Sequence, residues 1–314
     1  MLFLLSPPAW ACFSLIAGKA ATASHHVILA RNSDSKDANR AKQFKIYHTT
    51  TGVPLYNGLP YWDLMFDPSY DMAQVSSNRF GVSLSATQTI QSNRTALTFD
   101  PPAKTGQGVS EPNIPSIVMP HATSAKEAVT ILGKAIETRG VNDGWGFGVL
   151  LGDNDEAWYL ETLSGHQWVA IRVPDTMYFV AANGPGQIQA YLPKQYDYLL
   201  SHYNGITPIT FAKQYGFADY QSGIFNFRNT YADIQQPTNR NNNYIRLAYA
   251  QHFFNPSSRA FDQNTLNSTH FPMFLQPERP ITREDIQTLQ SSHYEDYPEL
   301  DPYQWPAHDK IQRP

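Results

Sequence analysis

The chain has 314 residues, 41% hydrophobic and 16% charged, a composition that can bury a core and excludes disorder throughout. A net charge of -4 without a Lys/Arg cluster argues against a nucleic-acid partner, and no run of about 18 apolar residues could form a membrane span. The one cysteine, Cys12, excludes an intramolecular disulfide framework.

Residues 1–11 read as a short apolar leader. Leu2-Phe3-Leu4-Leu5 is apolar, and Ala9-Trp10-Ala11 resembles the small-x-small site of a cleaved export signal. No basic residues precede it, and Pro7-Pro8 interrupt the apolar stretch, so a short propeptide fits as well. Either way, a cut after Ala11 would free the α-amino group of Cys12. Periplasmic, secreted and cytoplasmic locations all stay open.

In chain order, residues 13–17 and 26–30 read as strands joined by a turn. Residues 36–71 are polar and rich in Gly and Pro, with only 44–48 alternating like a strand. A turn at 78–81 leads into a half-buried strand at 82–87, and 95–114 reads as a loop. Residues 114–119 are apolar. After a break at 120–122, Thr123 or Ser124 caps a helix over 125–139 that Gly140 terminates. Residues 146–151, 156–162, 168–173 and 177–182 read as a four-stranded antiparallel meander, with Asp153-Asn154-Asp155 as a hairpin turn. Beyond Gly184 the pattern predicts helices only, at 192–203, 209–215, 244–254 and 282–290, the last capped by Thr282. Residues 291–314 are polar, acidic and Pro-rich. Sheets first and helices after them point to an α+β fold.

A nucleophilic cysteine needs a base and a donor for the oxyanion. None of the 10 histidines sits in a recognisable nucleophile–base motif. An N-terminal cysteine needs none, because its own α-amine, with a pKa of about 7.7–8.0, can take the thiol proton. An arginine nearby favours a thiolate, and a carboxylate can orient the ammonium. Arg31 and Asp34, on the strand next to that of Cys12, would supply both. The plainer readings are a buried structural cysteine and a salt bridge at a strand end.

The segment Cys12-Phe-Ser-Leu-Ile-Ala-Gly-Lys-Ala-Ala, followed by Ile28-Leu-Ala-Arg31-Asn-Ser-Asp34-Ser, resembles the start of the C69 dipeptidases, which are N-terminal-nucleophile hydrolases. The likeness continues through Gly81-Val-Ser-Leu-Ser-Ala-Thr87, Ser124-Ala-Lys-Glu-Ala128 and Glu156-Ala-Trp-Tyr-Leu-Glu-Thr162. It is densest in Gly165-His-Gln-Trp-Val-Ala-Ile-Arg-Val-Pro-Asp175, followed by Ala182-Asn183. The resemblance implies a four-layer αββα sandwich, two antiparallel sheets flanked by helices. It also implies a leader at 1–11, a hydrolase domain at 12–290 and a tail at 291–314 that ends a shortened domain. Cys12 would be the nucleophile, acting through a thioester on a dipeptide or small peptide, with no metal or cofactor, no nucleic acid and no membrane span. Homo-oligomerisation stays open.

By comparison with the related choloylglycine-hydrolase group, Arg31 and Asp34 match an Arg-x-x-Asp pattern. Asn183 matches an asparagine that positions the N-terminus and the acyl group, and Arg246 matches a late arginine facing the nucleophile. Where an oxyanion asparagine is expected, Thr87-Gln88 stands. The alternatives are a linear amidase or acylase of the choloylglycine-hydrolase type, and an inactive truncated peptide-binding protein.

Other residues have plainer readings. Gly165-His166 suits a β-turn. His25-His26 lacks metal-ligand spacing. Glu156 and Glu161 fall on opposite faces of a strand, with solvated edges as the default. Tyr61, Trp62, Phe66 and Tyr70 are either core pins or a substrate lid.

Overall fold

The computed structural model describes residues 11–34, 43–47, 61–65, 73–87, 89–104, 106–142, 146–184, 186–234, 240–257, 271–294 and 297. The strands are β1 (Ala11–Ala17), β2 (Ile28–Asp34), β3 (Gln43–Tyr47), β4 (Tyr61–Met65), β5 (Ala73–Asn78), β6 (Ser83–Thr87) and β7 (Gly148–Gly152). They continue with β8 (Ala157–Thr162), β9 (Trp168–Val173), β10 (Tyr178–Ala182), β11 (Tyr198–Leu200), β12 (Tyr220–Gln221), β13 (Ile224–Phe225) and β14 (Phe274–Leu275). The helices are α1 (Arg94–Phe99), α2 (Ile114–Val118), α3 (Ala125–Arg139), α4 (Pro208–Gln214), α5 (Phe227–Tyr231), α6 (Arg240–Phe254) and α7 (Arg283–Ser291).

Two antiparallel sheets carry the fold. The smaller runs β14-β10-β1-β2 and the larger runs β11-β9-β8-β7-β6-β5-β4-β3. Alternation along β1 explains how they stack. Phe13, Leu15 and Ala17 face outward and pack on Tyr244, Ala248, Ile286 and Leu289 of α6 and α7. Ile16 faces inward, together with Phe179 and Ala181, onto Leu150, Tyr159, Val169 and Ile171 of the large sheet. Tyr159 and Phe179 meet across the gap with ring centroids 4.5 Å apart. The far side of the large sheet, through Leu84, Val149, Leu151, Trp158, Leu160 and Ala170, packs on Ala128, Val129, Leu132 and Ile136 of α3. The layers are therefore helix, sheet, sheet, helix.

Local signals place α3. Ser124 Oγ accepts from Glu127 N at 3.2 Å, and Gly140 takes φ 71° where the helix stops. The predicted turn at Asp153 does more than close a hairpin. Asp153 Oδ1 accepts from Asp155 N and Glu156 N, while Oδ2 accepts from Ala125 N at 2.7 Å and so holds the first turn of α3 to the sheet. α7 carries the predicted Thr282 cap, made reciprocal by Asp285.

Two expectations fail for one reason. The four-strand meander is a three-strand one, because β10 crosses into the other sheet and pairs with β1 (Phe13↔Ala182 to Ala17↔Tyr178). The crossover is pinned by Ala20 N and Ala21 N, which donate to Asp175 O at 2.8 and 2.9 Å, and by Gly18 N, which donates to Met177 O. Gly18 lies so close that a Cβ there would sit 2.4 Å from Pro174 O. Departure of β10 leaves the edge of β9 without a partner. Residues 198–200 supply one as β11 (Leu199↔Ala170), so no helix forms over 192–203 and the strands do not stop at Gly184.

Other elements emerge where the pattern showed loop. β4 and β5 extend the large sheet beyond β6, and α1 is capped by Asn93 Oδ1 accepting from Ala96 N. β2 continues through polar residues to Asp34, because β1 supplies its ladder along the whole length. Tyr61 is a core pin, 5% exposed and stacked on Tyr47 at 4.5 Å. Trp62 lies half-buried against Phe44. Phe66, Tyr70, residues 1–10 and most of the tail lie outside the described residues. Tyr294, within the expected tail, is fully buried against Tyr249 of α6. Among the described residues no helix is long and apolar enough to cross a membrane.

The contact between α3 and the sheet is tightest at Gly133, where an added Cβ would lie 2.2 Å from Cζ2 of Trp168. The indole is 5% exposed and held by its Nε1 donating to Glu137 Oε1, so it has little room to yield. Gly133→Ala gains about 1 kcal/mol of helix propensity but overpacks the interface at a cost of about 1–3 kcal/mol. Net destabilisation is expected in urea denaturation; a stabilised variant would refute this close approach.

Candidate active site

Cys12 sits at the start of β1, 2% exposed, on the inward face shared with Ser14 and Ile16. β2 places Arg31 directly opposite Ser14, on that same face and diagonal to Cys12. Arg31 Nη2 donates to Cys12 Sγ at 3.1 Å. Its side chain is 4% exposed, and Nε and Nη1 find no hydrogen-bond partner. Burial works against the charge on Arg31. The Cys12 sulfur and the Glu111 carboxylate outweigh it and hold the guanidinium above its ordinary pKa.

The main chain of Cys12 is gripped from two further elements. Its N–H donates to Oδ1 of Asn183, the residue that follows β10. Arg246, fully buried on α6, donates from Nη1 to Cys12 O at 2.7 Å and from Nη2 to Asn183 Oδ1 at 3.3 Å. Asn243, one helical turn earlier, accepts from the same Nη2. Cys12, Arg31, Asn183 and Arg246 thus converge, drawn from β1, β2, the end of β10 and α6. Asp34 closes β2 opposite Ala11; its side chain lies outside the described residues. Thr87 ends β6 fully buried, with its Oγ1 unpartnered, and Gln88 lies outside the described residues.

Two acidic residues escaped the pattern. Glu111 opens a short 3-10 turn (Glu111–Asn113), with Oε2 4.0 Å from Arg31 Nη2. Nothing in the loop-like stretch 95–114 distinguishes it. Glu161 corrects the expectation of a solvated edge. It lies in β8, inside the large sheet and covered on both faces, and is 1% exposed. Its carboxylate accepts from Gln187 N at 2.9 Å, from Ile188 N at 3.1 Å and from the Tyr159 hydroxyl at 3.1 Å. It thereby anchors the loop that follows Asn183. Burial pushes the carboxyl up to about 7, against the pull of those hydrogen bonds and of Arg228. Glu156 pairs instead with Arg172 at 3.1 Å.

The remaining candidates are structural. His166 Nδ1 lies 2.7 Å from Asp100 Oδ1, and its ring stacks on Tyr203. Asp100 Oδ2 also accepts from Ser164 Oγ and His166 N, so the carboxylate shapes a turn. Among the described residues no three His, Cys, Asp or Glu side chains gather in a metal-binding group. A shallow cleft opens beside the site rather than on the sulfur. Gly184, Gln187, Arg228, Asn243 and Tyr244 are among its walls.

The model of peptidase family C69 matches residues 65–313. The chain belongs to peptidase family C69. That match begins after Cys12 and Arg31, but the curated relatives cover nearly the whole chain. A probable dipeptidase of Salmonella dublin is 35% identical over 305 residues, covering 91% of this chain and 67% of the relative. A dipeptidase of Bifidobacterium longum is 30% identical, covering 93% of this chain and 60% of its own length. A probable dipeptidase of Latilactobacillus sakei is 29% identical, covering 93% and 62%. The chain thus spans about three-fifths to two-thirds of the length of these relatives.

The Glu161 environment has a pH signature. Its folded pKa of about 7 lies above the ordinary 4.5, so between those values the folded protein keeps a proton that the unfolded chain has lost. The contribution of this group to stability is complete below pH 4.5 and is lost as pH rises through 7. Glu161→Gln should remove that dependence. The stability difference between the original protein and the variant should shift by up to ~3 kcal/mol, against the original, between pH 4.5 and 8. Urea titrations at both pH values check this, and a pH-independent difference would refute it.

Proposed function

We propose that the chain is a cysteine dipeptidase of the N-terminal-nucleophile type, with Cys12 as nucleophile and its own α-amine as base. The observation that carries this reading is the convergence of Arg31, Asn183 and Arg246 on one residue, each on a different atom of it. The dipeptidases among the relatives in this family support the substrate class.

In the proposed reaction, removal of residues 1–11 exposes the amine. Asn183 Oδ1 accepts one of its hydrogens and sets its direction, while Arg246 holds the Cys12 carbonyl, so the nitrogen cannot swing away from the sulfur. Two guanidinium groups close by disfavour the ammonium form and keep the amine available as a base. The amine takes the thiol proton, directly or through a water, and the thiolate forms beside Arg31. Sulfur attacks the scissile carbonyl carbon. The oxyanion is met by a backbone N–H or by the Asn183 amide nitrogen. The new ammonium gives its proton to the leaving amine, the C–N bond breaks, and a thioester remains. Water, deprotonated by the same amine, then releases the acid and restores the thiol. Asp34 is assigned the role of orienting the ammonium.

Intact-mass analysis of the purified protein incubated with a dipeptide tests this directly. The expected species begins at Cys12, and cleavage should survive EDTA. Cys12→Ala should lower turnover by about 10³-fold or more without unfolding the chain. Full activity in Cys12→Ala, or in a chain retaining Met1, would overturn the mechanism. Turnover of N-acyl amides in place of dipeptides would favour a linear amidase on the same site.

A further inference from the structure

We propose that Glu111 accepts the α-ammonium group of the substrate, so that the site selects peptides with a free N-terminus. The assignment rests on the dipeptidase reading and adds the residue that recognises one end of the dipeptide.

Reach comes first. Arg31 Nη2 is 3.1 Å from Cys12 Sγ and 4.0 Å from Glu111 Oε2, so the carboxylate oxygen lies within about 7 Å of the sulfur. In a dipeptide the amine nitrogen is two bonds, about 2.5 Å, from the scissile carbonyl carbon. That carbon must come within about 3–3.5 Å of the attacking sulfur. An ammonium so placed is within about 6 Å of the sulfur, and a charge-assisted hydrogen bond of about 2.8 Å completes the bridge to Glu111.

Glu111 pairs with Arg31 only loosely. At 4.0 Å the two are beyond hydrogen-bond distance, and Arg31 Nε and Nη1 remain without a partner while fully buried. A carboxylate serving only to neutralise this guanidinium would form the two-pronged pair that arginine favours. Glu111 keeps 19% of its side chain exposed, where Arg31 keeps 4%.

Its mounting is firm. The turn that carries it is closed by a reciprocal cap between Ser110 and Asn113, stiffened by Pro112, and runs directly into α2. The electrostatics call for such a group. An ammonium arriving beside Arg31 meets a like charge, and a carboxylate 4.0 Å from the guanidinium offsets that repulsion.

Calorimetry with the Cys12→Ala protein tests the assignment without turnover. Alanyl-alanine should bind at least about tenfold more tightly than its N-acetylated counterpart. Glu111→Gln in the same background should bring the two within about twofold, by weakening alanyl-alanine alone. Glu111→Asp should restore part of the preference. Equal binding of the two ligands before substitution, no binding of either, or a preference that survives Glu111→Gln would overturn the proposal. Preference in this assay together with no cleavage by the unsubstituted protein would overturn the dipeptidase reading and leave the Glu111 assignment standing.

Discussion

One buried cation ties the structure together. Arg246 is fully excluded from solvent, and a charge so placed is tolerated only when its hydrogen bonds are met. Its partners include the Cys12 carbonyl, Asn183 and Asn243. These belong to β1, the end of β10 and α6 itself, so the guanidinium links the outer helix layer to the first residues of the small sheet. The apolar contacts of Phe13 and Leu15 with α6 bring the layers together but do not determine where the tip of β1 lies. The directional bonds of Arg246 do.

The second constraint comes from the large sheet. Asn183 stands at the end of a strand, where the backbone leaves its ladder and has no register of its own. Glu161 takes up two amide hydrogens of the following loop, and Gly186 N donates to Thr89 O, so the loop is fastened to the opposite sheet. The Thr89 hydroxyl in turn meets Tyr159 and Glu161. Arg246 acts from one side of the small sheet and Glu161 from the other, and the group proposed to orient the nucleophile is held between them.

Much of this was legible from the residues, and the exceptions have physical causes. α3 announces itself through helical spacing, Ser124 and Gly140, which are local signals. Cys12, Arg31, Asn183 and Arg246 emerged from a resemblance and do meet in space; composition alone would have left Cys12 an inert core thiol. The crossover of β10 was invisible, because an antiparallel strand that continues a meander and one that changes sheets have the same alternation. What decides between them is the pocket that Gly18 opens for the 174–177 turn, more than 150 residues away in sequence. β4 (Tyr61-Trp62-Asp63-Leu64-Met65) lacks a clean alternation, and β5 hid in mostly polar sequence, since one covered face of a sheet needs few apolar residues. Glu161 was misread because periodicity assigns a side chain to a face and not to a depth, and both faces of β8 are covered.

The sheet change of β10 has a consequence in time. Cys12 is 171 residues from Asn183 and 234 from Arg246, so no early stretch of the chain contains the groups that grip Cys12. During synthesis Cys12 leaves the ribosome first and the residues that meet it leave much later. Contacts of such long sequence separation form late and slowly. On the proposed mechanism, the pairing of β1 with β10 assembles the surroundings of the nucleophile only once most of the domain has folded.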